Sequence, residues 1–268
     1  MPYSKTHYFM LLILIITVVA FWPSYFGRLN DAPLAHHLHG ATSTLWILLI
    51  AWQSWLIHNG RRAAHRKAGL LIFVMVPLMT AAFALVTWAG AQKAVADHPF
   101  YVLFGQALLT ADVWLMCSTA LQVYLAMRWR RLVHIHSALI IGTLIGLLPP
   151  ILSRLFANYL PGMMIEGPDT LYRFEYAIQL SMLLSVLLGI GLAVLYRKSR
   201  WPWLMAAGIA AISYGLYATV GQTNWWAAVV MHLSQLHPGT IYLSGLLLGI
   251  LAVVFGWRHG LTAHSPQG

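Results

Sequence analysis

The chain has 268 residues, 60% of them hydrophobic and only 8% charged, where a soluble domain averages about 45–50% and about 25%. That composition excludes an ordinary globular protein. The formal charge of +10, from 16 Lys and Arg against 6 Asp and Glu, must therefore be explained within a membrane and not by nucleic acid.

Apolar runs at 8–26, 39–58, 68–89, 100–127, 135–158, 175–196, 202–220 and 239–257 each supply roughly the 20 residues that cross a hydrocarbon core about 30 Å thick. They predict an all-α, polytopic transmembrane helical bundle forming one domain over 1–268, with about eight spans, or seven if the first does not cross. The first run is longer than a signal-peptide h-region and no A-x-A site follows it, so it reads as an anchor. Basic clusters at Arg61, Arg62, Arg66 and Lys67, at Arg128, Arg130 and Arg131, and at Arg197, Lys198 and Arg200 fall in alternate connections. With Lys5 and Arg258 they place 12 of the 16 cations on one side. The positive-inside rule then puts both termini in the cytoplasm, as expected of a bacterial inner-membrane protein. The sole cysteine, Cys117, lies in an apolar run and forms no intrachain disulfide.

Taken in chain order, the polar residues inside these runs are the candidates for chemistry, because ionisable groups are expensive in lipid. In the second run His39, Trp46 and Gln53 are seven apart and drift by only about 20° per step, so they form one stripe. The nearby His37 is not on the His39 face of a helix, whereas His36 and His39, at i and i+3, share one. Asp112 lies about 12 residues into the fourth run, near mid-membrane. In the fifth run His136 and Arg154 are 18 apart, five full turns, and project the same way. An Asp112–Arg154 pair, direct or water-bridged, is the simplest arrangement for two such charges. Pro149-Pro150 is expected to kink this run. Gly142-x-x-x-Gly146 and Gly245-x-x-x-Gly249 have the spacing that lets membrane helices approach closely. Trp225-Trp226 reads as an interfacial anchor.

The 13 histidines sort by this topology into an outer group, His36, His37, His39, His98, His232 and His237, and an inner group, His58, His65, His134, His136 and His259. His7 and His264 lie in the tails. Neutral imidazole is the commonest metal ligand, and paired histidines hold haem iron. The candidate metal ligands are His37 and His39, joined by His232 and His237; the candidate cofactor pair is His65 with His136. No H-E-x-x-H, C-x-x-C or C-x-x-C-H motif occurs, nor a G-x-S-x-G elbow, P-loop or dinucleotide fingerprint.

The run His37-Leu38-His39-Gly40, Trp46, Gln53, Gly60-Arg61 and His65-Arg66-x-x-Gly69, then Asp112, then His136 and Arg154, resembles a family of small bacterial polytopic membrane proteins. That family is distantly similar in pattern to membrane b-type cytochromes. The resemblance covers roughly 35–155 and implies that His37, His39, Gln53, His65, Asp112, His136 and Arg154 form one set. Two departures stand out: Arg200-Trp201-Pro202 replaces a His-Pro pair, and about 221–268, with His232 and His237-Pro238, is an addition.

Three functions are compatible with these residues. The first is a membrane metal or haem protein in redox or electron transfer, holding haem b or a copper, iron or zinc ion, with Asp112 as proton carrier and Gln53 as hydrogen-bonding support. The second is a proton-coupled transporter or channel in which Asp112 titrates and Arg154 is its counter-ion. The third is a non-catalytic subunit or assembly factor of a larger membrane complex, whose partners are other membrane subunits or further copies of this chain. A zinc hydrolase is less well served, because no serine or water-activating carboxylate stands beside the imidazoles.

Overall fold

A computed structural model describes residues 2–262, so His264 lies outside the described residues. It is helical throughout, as lipid demands of a chain that must satisfy its own backbone. The helices are α1 (Thr6–Phe21), α2 (Leu34–His58), α3 (Arg62–Gly69), α4 (Ile72–Val95), α5 (Gln106–Arg128), α6 (Val133–Tyr159), α7 (Arg173–Leu195), α8 (Arg200–Ala218), α9 (Asn224–Gln235) and α10 (Pro238–Thr262). Among the described residues, seven helices are long and apolar enough to cross a membrane: α2, α4, α5 with the π-helical turn before it, α6, α7, α8 and α10. The apolar helix α1 has 16 residues, about 24 Å.

Two short elements escape the hydropathy pattern. Helix α3 is the basic connection after α2 wound into two turns, and α9 is amphipathic and capped by Thr223, whose Oγ1 accepts from the Trp226 amide at 3.2 Å. Helix α2 also begins five residues before the apolar run starting at 39. Pro33, extended and unable to continue a turn, delivers the chain at Leu34, so His36, His37 and His39 are all helical. Helix α6 runs continuously through Pro149 and Pro150.

The basic connections collect at one end of the bundle. Arg130 donates to the Trp257 carbonyl at 3.0 Å, and Tyr3 joins Ser199 at 2.5 Å and Trp203 at 3.2 Å. At the opposite end Asn158 donates to the Ala20 carbonyl at 3.0 Å, and Trp226 to the Gln106 carbonyl at 2.7 Å. Trp226 is thus packed into the bundle, and only Trp225 is exposed as an anchor would be.

Helices α1, α2, α4, α5 and α6 close a ring, each packed on the next, while α10 covers α4 and α5 and α7 and α8 cover α6. The α10 contact is made by its glycines. A Cβ at Gly245 would meet the Thr80 carbonyl oxygen at 2.6 Å, and one at Gly249 the Pro77 Cα at 2.6 Å. Across the ring, α2 and α6 keep their backbones apart over most of their length, leaving a gap that long side chains fill.

Candidate functional site

Two polar stripes face each other across that gap. On α2 they are His39, Trp46 and Gln53; on α6, running the opposite way, they are Arg154, Thr143 and His136. The middle level is a direct bond: Trp46 Nε1 donates to Thr143 Oγ1 at 3.1 Å, with both side chains 1% exposed. Apolar residues Ile47, Ile50, Val76, Met79 and Leu144 pack around Trp46. This waist separates the polar residues toward the two ends.

Toward the basic end, Gln53 carries the contact. With its amide nitrogen turned toward His65, it donates to the His65 carbonyl at 3.1 Å and to His65 Nδ1 at 2.6 Å, and its oxygen accepts from the Gly69 amide at 3.2 Å. The three residues of the Q…H-R-x-x-G pattern are therefore one clip that holds α3 against α2. Because His65 Nδ1 accepts, its proton sits on Nε2. His136 is in the other tautomer: its Nδ1 meets the Ala126 carbonyl at 2.9 Å, an acceptor only, so Nδ1 carries the proton and Nε2 is left with a lone pair. The two imidazoles are close enough to influence each other electrostatically. Partial burial holds His65 below the ordinary imidazole range, opposed by its hydrogen bond to Gln53 and reinforced by Arg66. A second imidazole pair lies nearby, His7 of α1 and His58 of α2, with ring centroids 6.5 Å apart.

Toward the opposite end, six polar side chains from four helices and the turn before α5 converge: His36 and His39 of α2, Lys93 of α4, Tyr101, Asp112 of α5 and Arg154 of α6. Arg154 is the hub. It is electrostatically coupled to Asp112, Tyr101, His36 and His39. Its guanidinium lies 4.7 Å over the Phe21 ring, and Nη1 donates to the Pro150 carbonyl at 2.9 Å. The Lys93 ammonium sits 5.5 Å over the Tyr101 ring. The His39 ring stands edge-on to Phe83 at 4.9 Å.

Asp112 and Arg154 share this chamber without touching; among the described residues the ion pair within 4.0 Å is Arg173–Glu166, at 3.3 Å. Among the described residues no hydrogen bond links any of the six to another, and the buried Nδ1 atoms of His36 and His39 have no partner. Buried polar groups are normally satisfied, so both imidazoles keep hydrogen-bonding capacity that the protein itself does not use.

The candidate metal set is not brought together. His37 faces away, its Nδ1 sharing a 2.8 Å hydrogen bond with Tyr25, whose phenol burial keeps protonated above the usual range. His232 and His237 are exposed; His237 Nδ1 accepts from the Gly239 amide at 3.1 Å at the start of α10. Among the described residues no three His, Cys, Asp or Glu side chains form a group able to hold a metal ion. His36, whose i, i+3 spacing with His39 marked it, belongs to the chamber in place of His37. Lys93 and Tyr101 carried no such signal, since both sit at the ends of apolar runs.

No protein family, no curated protein and no solved structure matches this chain.

Proposed function

We propose that the protein is a proton-coupled transporter of the bacterial cytoplasmic membrane, with both termini and the basic end inside and α1 as an eighth span. The observation that carries the reading is the chamber in which Asp112 and Arg154 face each other unbonded beside His36 and His39. A structural ion pair would be closed; charges held apart inside a membrane mark an ion or substrate pathway. The Trp46–Thr143 bridge blocks the way from this chamber to the imidazoles at the basic end, as an occluding layer must. Asp112 binds and releases the proton, Arg154 sets its charge, and His136 and His65, in complementary tautomers, offer an acceptor and a donor on the cytoplasmic side. Gln53 holds His65 in that tautomer.

The test is proton flux into liposomes carrying the purified protein, read with an entrapped pH dye under an imposed membrane potential. Wild-type protein is expected to conduct and Asp112→Asn to abolish flux while remaining folded. Undiminished flux in Asp112→Asn would refute the assignment.

A second reading, electron transfer through haem b or a copper, iron or zinc ion, has one observation in its favour: His136 Nδ1 bound to a backbone carbonyl is the usual arrangement of a ligating imidazole. His65 does not match it, because ligation through Nε2 requires the Gln53 amide to turn over. On the opposite side no second imidazole faces His39 from α6, where Arg154 stands. A Soret band that sharpens on reduction in the purified protein would decide for this reading; a colourless, metal-free, conducting protein decides for transport.

A further inference from the structure

We infer that the chamber around Arg154 binds a small hydroxycarboxylate monoanion. The inference names the substrate class for the transport reading and rests on it for its biological meaning. Its physical basis is separate and lies in the geometry of six side chains.

Arg154 presents a defined edge. Phe21 covers one face of the guanidinium at 4.7 Å, and the Pro150 carbonyl takes one N–H at 2.9 Å. A planar fork held by a ring and a carbonyl has its remaining N–H groups fixed in direction, which suits a planar carboxylate better than a mobile point charge would. Lys93, anchored over Tyr101 at 5.5 Å, adds a second cation to the cluster. His36 is electrostatically coupled to both cations.

Charge then selects the ligand. In the state in which Asp112 has released its proton, the two cations and one carboxylate leave the chamber with one positive charge while its histidines are neutral. An uncompensated charge inside a membrane is costly, so a monoanion completes the site; a zwitterion leaves the charge in place, and a dianion reverses it. Asp112 narrows the choice further. As a carboxylate it accepts hydrogen bonds, and among the described residues it has no hydrogen-bond or ion-pair partner, so the favoured anion also carries a donor. A hydroxyl beside the carboxylate serves Asp112 while the carboxylate faces Arg154. The unpartnered Nδ1 atoms of His36 and His39 give the hydroxyl and the carboxylate their remaining partners.

The test uses the full-length protein in nanodiscs and isothermal titration, in buffer alkaline enough to hold phosphate as its dianion, with four probes: lactate, acetate, alanine and inorganic phosphate. Lactate should bind, acetate about tenfold more weakly for want of the donor, and alanine and phosphate more weakly still, at the scale of one charge-assisted hydrogen bond. Lys93→Gln, a change at a half-buried position in the last turn of α4, should weaken lactate about tenfold. Arg154→Lys, which keeps the charge and loses the fork, should weaken lactate and acetate alike and leave the preference between them in place. No lactate binding, or acetate or phosphate binding as tightly as lactate, would overturn the assignment, as would lactate affinity unchanged in Lys93→Gln. The two proposals fail separately: lactate binding without proton flux removes the transport reading and keeps the site, whereas flux without lactate binding removes the site alone.

Discussion

The waist can be tested by a pair of substitutions whose cost follows from the structure. Thr143→Val conserves shape and removes the acceptor of Trp46 Nε1, leaving a buried donor with no alternative partner in an apolar surround of Ile47, Ile50, Val76 and Leu144. An orphaned buried donor costs about 1–3 kcal/mol, and hydrogen bonds between membrane helices average about 0.6 kcal/mol with a ceiling near about 1.7. The expected loss for Thr143→Val is therefore about 1–2 kcal/mol. Trp46→Phe loses the same bond and part of the ring's packing, and is expected to cost about 2–3 kcal/mol. Because both changes delete one interaction, the double variant should be less destabilised than the sum by about 1 kcal/mol. The assay is equilibrium unfolding by sodium dodecyl sulfate in mixed micelles, followed by far-ultraviolet circular dichroism. Strict additivity, or a Thr143→Val cost under about 0.3 kcal/mol, would refute the claim that this bond holds the two stripes together.

Other outcomes follow from the same contacts. Gly249→Ala places a methyl group against the Pro77 backbone and should cost about 1–3 kcal/mol in the same unfolding assay, whereas Gly191→Ala, with open space around it, should not. His65 is held below its ordinary pKa by burial, so the unfolded form binds more protons in the window below about 6.5. The stability it contributes is thus complete above that pH and is lost as pH falls. Protection factors of the α3 amides, corrected for the intrinsic exchange rate at each pH, should fall below about pH 6.5, and in Gln53→Leu they should be low at every pH. His237→Ala removes a side-chain acceptor from the first turn of α10 and is expected to leave proton flux and metal content unchanged, as a capping residue would and a ligand would not.

Much of this architecture is legible in the residues themselves. Seven of the eight apolar runs correspond to helices long and apolar enough to span, because hydropathy over about 20 residues reports the one property a bilayer selects for. The period of the polar residues is also readable: His39, Trp46 and Gln53 share a face by arithmetic, as do His136 and Arg154. What periodicity cannot say is which face meets which. That α2 and α6 oppose each other depends on the order of packing around the ring, set by the glycines of α10 against α4 and by α1 lying between α2 and α6. The exchange of His37 for His36 has a local cause, since polar histidines depress hydropathy without breaking a helix, so α2 starts earlier than its apolar stretch. Helices α3 and α9 are short and polar or amphipathic, and leave no run for a hydropathy window to find. The clip made by Gln53, His65 and Gly69 was visible as a pattern of residues, but its chemistry needed α3 to be helical and folded back.

The three levels of the facing stripes fall at intervals of seven and seven residues on α2, and seven and eleven on α6. Both intervals are close to whole numbers of turns, so each level returns to the gap with only about 20° of drift. A single residue inserted between His39 and Gln53 would swing everything beyond it by about 100°, and either the chamber or the Gln53 clip would turn out to the lipid. The spacing on these two helices is therefore far less free to vary in length than in composition: residues between the levels can be exchanged for other apolar ones, but they cannot be added or removed one at a time.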